Sequence, residues 1–379
     1  MTTWAPLATD TLPSRWPTVA RAVVLLTTII SVLLVAFAWP SVRSSLHDVP
    51  IAVAGPTTTV TQVRTALEQR APGGFDVIEV ADTATAEHLI VDRQVYGALD
   101  LSSGTLQVII ASAANTAVAQ TLQTTANGLG QSGNAGAPAA VRDLAAMPTD
   151  DPRGAGLAAG ALPLVMGGLL AAVLLNKLIR GIGRRVAATL AFAVTGGLAV
   201  AGIMQFWFGS LSGSYLANAS AVALSIASVS LTVLGLESVF GYAGIGIGAT
   251  IMMLIGNPLS GTTIAPEMLP GWFGAFGQLL PPGAGGRLMR STAFFDGRGA
   301  TNAVTVLVVW AVLGATLCLI GGLRAHRERR ALNMQFEYQP AQAQTVATRH
   351  AATKTIKNAR NGGRRDTSSM RRARSPRRV

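Results

Sequence analysis

The chain has 379 residues, 50% of them hydrophobic and only 13% charged, whereas a soluble domain carries about 25% charged residues. The deficit lies in several uncharged stretches of about 20 residues, the signature of membrane spans, which excludes an ordinary soluble globule. The net charge of +12 sits in residues 323–379, which hold 15 Lys or Arg against 3 Asp or Glu, so the basic balance describes a tail and not a domain.

Residues 1–16 are polar and read as a short cytoplasmic N-terminus. The first apolar run, Val19 to Trp39, is flanked by Arg15 and Arg21 and ends in Trp39-Pro40, an interfacial aromatic followed by a helix stop. Ala36-Phe37-Ala38 resembles a signal-peptidase site, but the run exceeds the 7–15 residues of a signal core. The segment 17–39 is therefore read as an uncleaved anchor, the first transmembrane helix.

Residues 41–156 are the one large polar segment, with 6 Arg, no Lys and 11 Asp or Glu. Strand signals at 51–55, 75–80, 96–101 and 106–112 alternate with helical runs over Thr58–Gln69, Thr83–Arg93 and Asn115 to about Gly130. That alternation predicts a small α/β domain. Gly128–Pro138 reads as a linker, and Asp150-Asp151-Pro152 as the return towards the membrane.

Five more spans are predicted within residues 157–323: Leu157–Leu175, Val186–Phe208, Leu216–Leu236, the shorter Tyr242–Ile255, and Ala303–Leu323. The loop Asn176–Arg185 carries Lys177, Arg180, Arg184 and Arg185 and is placed in the cytoplasm by the positive-inside rule; the loop Gly209–Tyr215 carries no charge and is placed outside. The expected fold is a mostly α membrane protein with six transmembrane helices. An extracytoplasmic α/β domain lies between helices 1 and 2, and both termini are cytoplasmic. Glu237, at the turn after the fourth span, reads as a structural interfacial carboxylate.

Before the last span, Gly256–Gly297 holds five prolines among many glycines, yet is apolar and rich in aromatic residues. Proline and glycine at this density break regular helix. The pieces Leu269–Leu280 and Leu288–Phe295 between the breakers read as two short helices forming a re-entrant hairpin at the outer interface.

Chemistry-bearing motifs are absent. No lysine follows a glycine as in a P-loop, there is no metalloprotease or serine-hydrolase signature, and the last three spans hold no charge. Gly244 and Gly248 lie four apart in an apolar helix, the spacing of close helix packing. One cysteine, Cys318, excludes an intramolecular disulfide, and the four histidines are scattered. No catalytic, cofactor or metal residue is assigned, and no cofactor is expected. The arginine-rich tail over 324–379 is too polar to form a core and reads as disordered. It suits anionic lipid but lacks the interleaved aromatics of a specific nucleic-acid binder.

Several blocks carry a resemblance: Asn257-Pro258-Leu259-Ser260-Gly261, Pro266-Glu267-Met268-Leu269-Pro270, Leu280-Pro281-Pro282-Gly283-Ala284, Arg290-Ser291-Thr292 with Phe294-Phe295, and Tyr96-Gly97-Ala98-Leu99. With the order of spans over about residues 17–323, they resemble permease subunits of type-2 ABC exporters, more narrowly the YhgE/Pip (phage infection protein)-like branch. The resemblance implies a plasma-membrane permease half that pairs with itself or a homologue and docks a separate ATPase subunit through Lys177, Arg180, Arg184 and Arg185. It also implies that the hairpin, with Asn257, Pro258, Pro266, Glu267, Pro270, Trp272, Pro281 and Pro282, closes the outer end of the path. Residues 1–16, with Pro13 and with Pro17 just after them, depart from the long interfacial helix common at the start of these permeases. The apolar spans permit lipids or hydrophobic drugs as substrates. The alternative is a cell-envelope receptor acting through residues 41–156.

Overall fold

The computed structural model describes residues 15–132 and 139–330. Residues 1–14, the end of the expected linker and the tail beyond Arg330 lie outside the described residues. By their internal contacts, Met1–Ile320 and Gly321–Val379 are separate units.

Helix α1 (Trp16–Val42) begins with proline in its first turn, where the missing N–H costs nothing. At 1.5 Å per residue it is about 40 Å long, ample for a hydrocarbon layer of about 30 Å. None of its apolar window is buried by the rest of the chain.

The polar segment forms a mixed five-stranded sheet of order β2-β1-β3-β4-β5, from β1 (Val49–Ala54), β2 (Phe75–Val80), β3 (Gly97–Asp100), β4 (Gln107–Ile110) and β5 (Ala140–Asp143). Strand β1 runs parallel to β2 and β3, β3 pairs antiparallel with β4, and β4 runs parallel to β5. Helices α2 (Thr57–Arg70), α3 (Thr83–Val91) and α4 (Thr116–Ser132) complete the domain. The alternation of side chains along β1 divides the core. Val49, Ile51 and Val53 face one cluster with Val60, Leu67 and Leu122; Ala52 and Ala54 face another with Ala86 and Ile90. Neither cluster closes within the domain: the first takes in Ala265 and Met268, the second Phe294 and Phe295.

Beyond the sheet come α5 (Ala155–Leu178), α6 (Ile182–Gly202, extended by a π turn to Trp207), α7 (Tyr215–Phe240), α8 (Tyr242–Ala249), a π turn Thr250–Gly256, α9 (Phe273–Gln278), α10 (Pro281–Phe294) and α11 (Thr301–Arg330). Among the described residues, five helices are long and apolar enough to cross a membrane: α1, α5, α6 with its π turn, α7 and α11. Tyr242–Gly256, expected as a span, is shorter, about 22 Å of helix. Residues 324–330, expected in the tail, are helical.

Helix α7 is the hub, with 72% of its apolar window buried against 33% or less in the other four. Small residues bring its neighbours close, and hydroxyls join the backbones. Ser230 Oγ donates to the Gly168 carbonyl (3.1 Å), while Thr232 Oγ1 and Ser238 Oγ share their protons between carbonyls within α7 (Ser228 and Gly235, both 2.7 Å) and those of Trp310 (3.2 Å) and Leu317 (3.0 Å) on α11. Such bonds suit a lipid setting, where helix association rests on packing and interhelical hydrogen bonding. At the α7–α11 crossing, a Cβ on Gly235 would collide with the Gly314 carbonyl, and one on Gly314 with the Leu231 backbone. Gly235→Leu is therefore expected to cost about 1–3 kcal/mol through overpacking, read as a lower thermal midpoint in detergent. Gly246→Ala, where an added Cβ meets nothing, should leave the midpoint unchanged or raise it.

Candidate functional site

The proline-rich stretch folds into a tight unit and not a loose connector. Pro266 opens a short 3-10 turn, and Pro281 and Pro282 open α10, where proline is tolerated because the first N–H groups of a helix are unpaired anyway. The second helical piece thus starts at Pro281, seven residues before the expected Leu288. The glycines permit backbone contact: a Cβ on Gly274, Gly277 or Gly283 would strike the carbonyl of Pro266, Leu259 or Gly277 respectively. Trp272 stacks on Phe273 at 4.6 Å, and Phe273 meets Trp39 of α1 edge-on at 5.3 Å.

A cavity of about 940 Å³ opens between this unit and the α/β domain. Its walls are the α3–β3 turn (Asp92–Tyr96) with Asn115 on one side, and Pro266, Glu267, Gln278, Arg287 and Arg290 on the other, with Asn302 at the start of α11. Helix α3 ends at Val91, and Arg93, expected inside the helix, adopts the left-handed conformation (φ 57°). Arginine at such a position carries a backbone cost that glycine would avoid. The turn aims its side chain at α10. Arg93 Nη1 donates to the Arg287 carbonyl (2.8 Å) and to Ser291 Oγ (2.6 Å), and the guanidinium lies 5.2 Å from the Phe295 ring centroid. Arg290 donates to the carbonyls of Ala114 (3.3 Å) and Thr262 (2.5 Å). Tyr96 donates its hydroxyl to Glu267 Oε2 at 2.7 Å.

The electrostatics follow from burial. Desolvation, and then the charge of Arg287, pull Arg93 down to about 10, still protonated at neutral pH. Burial likewise lowers Arg290, whereas burial and then the Glu267 carboxylate push the Tyr96 phenol well above its usual range.

The structure divides the expected hairpin residues. Pro266 and Glu267 line the large cavity; Asn257, Pro281 and Pro282 line a small apolar pocket against α5 and α7. Pro258 and Pro270 line neither, and Trp272 is 64% exposed. Of the expected docking residues, Lys177, Arg180 and Arg184 are exposed on the α5–α6 turn. Arg185 instead donates its Nε–H to the Ile179 carbonyl (2.8 Å) and lies 3.8 Å from Glu237 Oε2, an ion contact too long for a hydrogen bond. Glu237 thus offsets basic charge at the N-terminus of α6, where the helix dipole disfavours cations.

Of the three arginines, Arg290 falls in the Arg290-Ser291-Thr292 block that carries the resemblance, Arg287 is not singled out, and Arg93 is expected inside a helix. The one signal for Arg287 and Arg290 is their spacing of three in the otherwise uncharged run 280–295. Comparisons with protein-family models, curated proteins and solved structures found no match to this chain.

A hydrogen bond from a charged group contributes about 1.5–3 kcal/mol, and a buried acceptor left unpaired adds its desolvation. Arg93→Met is therefore expected to lower stability by about 3 kcal/mol or more, read as faster proteolysis within residues 41–156 and a lower melting midpoint. Unchanged protection would remove Arg93 from its place as the link between domain and hairpin.

Proposed function

We propose that this chain is the permease half of a type-2 ABC exporter, working with a separate ATP-hydrolysing subunit and pairing with itself or a homologue. In this reading the protein lies in the plasma membrane with six spans, Tyr242–Gly256 being the short one. The α/β domain and the hairpin are extracytoplasmic, and the α5–α6 turn is cytoplasmic. A short apolar helix can cross where the bilayer thins or neighbouring helices cover it.

The observation that carries the proposal is the shared core of domain and hairpin. A receptor module displayed on a membrane anchor would be expected to close its own hydrophobic clusters. Here both clusters are completed by the hairpin, through Ala265 and Met268 on one face and Phe294 and Phe295 on the other. Such a domain moves with the hairpin, which suits a gate and leaves the receptor reading the weaker one.

Two measurements test the assignment. With Cys318 replaced by alanine, Thr263→Cys and Thr105→Cys, both at exposed positions, should react with a membrane-impermeant thiol reagent added outside intact cells. Arg180→Cys should react only after permeabilisation. Labelling of Thr263→Cys solely from the cytoplasm would overturn the orientation and the gate with it. For docking, Arg180→Glu with Arg184→Glu should abolish recovery of ATPase activity with the purified permease, and undiminished recovery would sink that contact. Arg185 is left intact because of its contact with Glu237.

A further inference from the structure

Three guanidinium groups converge on the large cavity from separate parts of the fold: Arg93 from the end of α3, and Arg287 and Arg290 from one side of α10. Among the described residues the ion pairs are Arg142–Glu87, Arg185–Glu237 and Arg298–Asp92, so none of the three has a carboxylate partner. The Nε–H groups of Arg287 and Arg290 are buried without an acceptor, and Arg290 is only 8% exposed. Buried donors are ordinarily paired, and a charged one left unpaired loses hydration with nothing in return. The carboxylate on the same wall, Glu267, receives the Tyr96 hydroxyl instead. Asp48 and Asp92 also line the cavity, but Asp92 is engaged by Arg298 and Asp48 is exposed.

We propose that this cavity binds an oxyanionic group, a phosphate or carboxylate, between Arg287 and Arg290, with Arg93 adding charge from the facing wall. Planar guanidinium donors fit the paired oxygens of such groups. The bound group supplies acceptors for the orphaned Nε–H donors and relieves the repulsion among three cations. The volume lies at the upper end for sites that enclose a small molecule, so the oxyanion belongs to a larger body. The same chemistry is offered by a lipid headgroup and by a water-soluble anion. The assignment concerns binding and holds whether or not the chain exports its ligand.

The test uses the full-length protein in neutral detergent, without nucleotide or partner subunit. Inorganic phosphate and a short-chain phosphatidic acid are titrated separately at matched ionic strength, with chloride and a short-chain phosphatidylcholine as controls, and the melting midpoint is read. Ligand that binds only the folded state raises the midpoint. Arg287 makes no side-chain hydrogen bond or ion pair within the described residues, so Arg287→Gln is expected to fold, with an unliganded midpoint equal to or above that of the unaltered protein. It should weaken binding by about tenfold or more, the scale of a lost charge-assisted contact. Arg290→Lys should weaken it as well; if that variant does not fold, Arg287→Gln decides alone. A shift with both probes assigns acceptance of free oxyanions, and a shift with phosphatidic acid alone assigns a lipid headgroup. Shifts no larger than those produced by chloride and phosphatidylcholine, or undiminished affinity in Arg287→Gln, overturn the site. Neither outcome bears on ATPase docking, so the two proposals fail separately.

Discussion

The structure turns on a core that two segments share. The sheet of the α/β domain is covered on both faces, yet the last apolar pieces on each face come from far along the chain, at residues 265–268 and 294–295. Ala265 is fully buried and Phe295 is 3% exposed, so each lies in the interior and not at an edge. Arg93 reinforces this seam with two hydrogen bonds and a ring contact, and Tyr96 adds one to Glu267. The hairpin in turn depends on α7, because α10 buries Met289 and Ala293 beside Ala219 and Val222, and Ala284 and Leu288 beside Ala221 and Leu307. Sheet, hairpin and hub helix therefore form one chain of contacts.

Polar groups are distributed unevenly along that chain. At the hub, the polar contacts to α5 and α11 come from hydroxyls that reach neighbouring carbonyls, which lets small residues approach closely, while Ser228 Oγ and Asn218 Oδ1 are buried without a partner among the described residues. At the seam, polarity includes three guanidinium groups, Arg290 buried and Arg93 and Arg287 half-buried, and withdrawing such charges from water is costly. A stable fold does not need three of them there. Their concentration beside a cavity, one from the acid-rich α/β domain and two from α10, fits a site better than it fits a scaffold.

Much of this was legible from periodicity and charge. The long uncharged runs matched α1, α5, α6 and α7 within a few residues, and α11 except for its charged last seven residues, because an apolar membrane helix admits few alternatives. Strands β1, β2 and β4 were legible because their β-branched runs are bounded by turns, and β3, which has none, because its short apolar run follows the α3 helical pattern. Strand β5 was not: Ala140–Asp143 has one β-branched residue, and all four residues are exposed at the sheet edge. Pro281-Pro282 reads as a break, yet it opens a 14-residue helix, since the penalty for proline vanishes in the first turn. The cavity was beyond reach for a different reason. Arg93 and Ser291 are 198 positions apart, and no periodicity within one sequence reports a contact of that separation.

The shared core also sets how a gate here could work. Parting the hairpin from the sheet would bare two phenylalanines, Ala265 and Met268; fully exposing a large apolar side chain costs about 1.5–3 kcal/mol. The hydrogen bonds of Arg93 and Tyr96 would break as well. Those costs together exceed thermal energy several-fold, so the arrangement with hairpin and sheet packed together dominates unless something acts against it. An oxyanion between Arg287 and Arg290 would remove part of the repulsion among the three cations and so favour whichever arrangement keeps them together. Ligand binding alone would then hold the seam shut. An exporter built this way must open it from elsewhere, and α10 offers the route, because it packs on the hub helix below as well as on the sheet above. A shift of α7 relative to α5 and α11 would carry α10 with it, and the sheet would have to follow or give up Phe295.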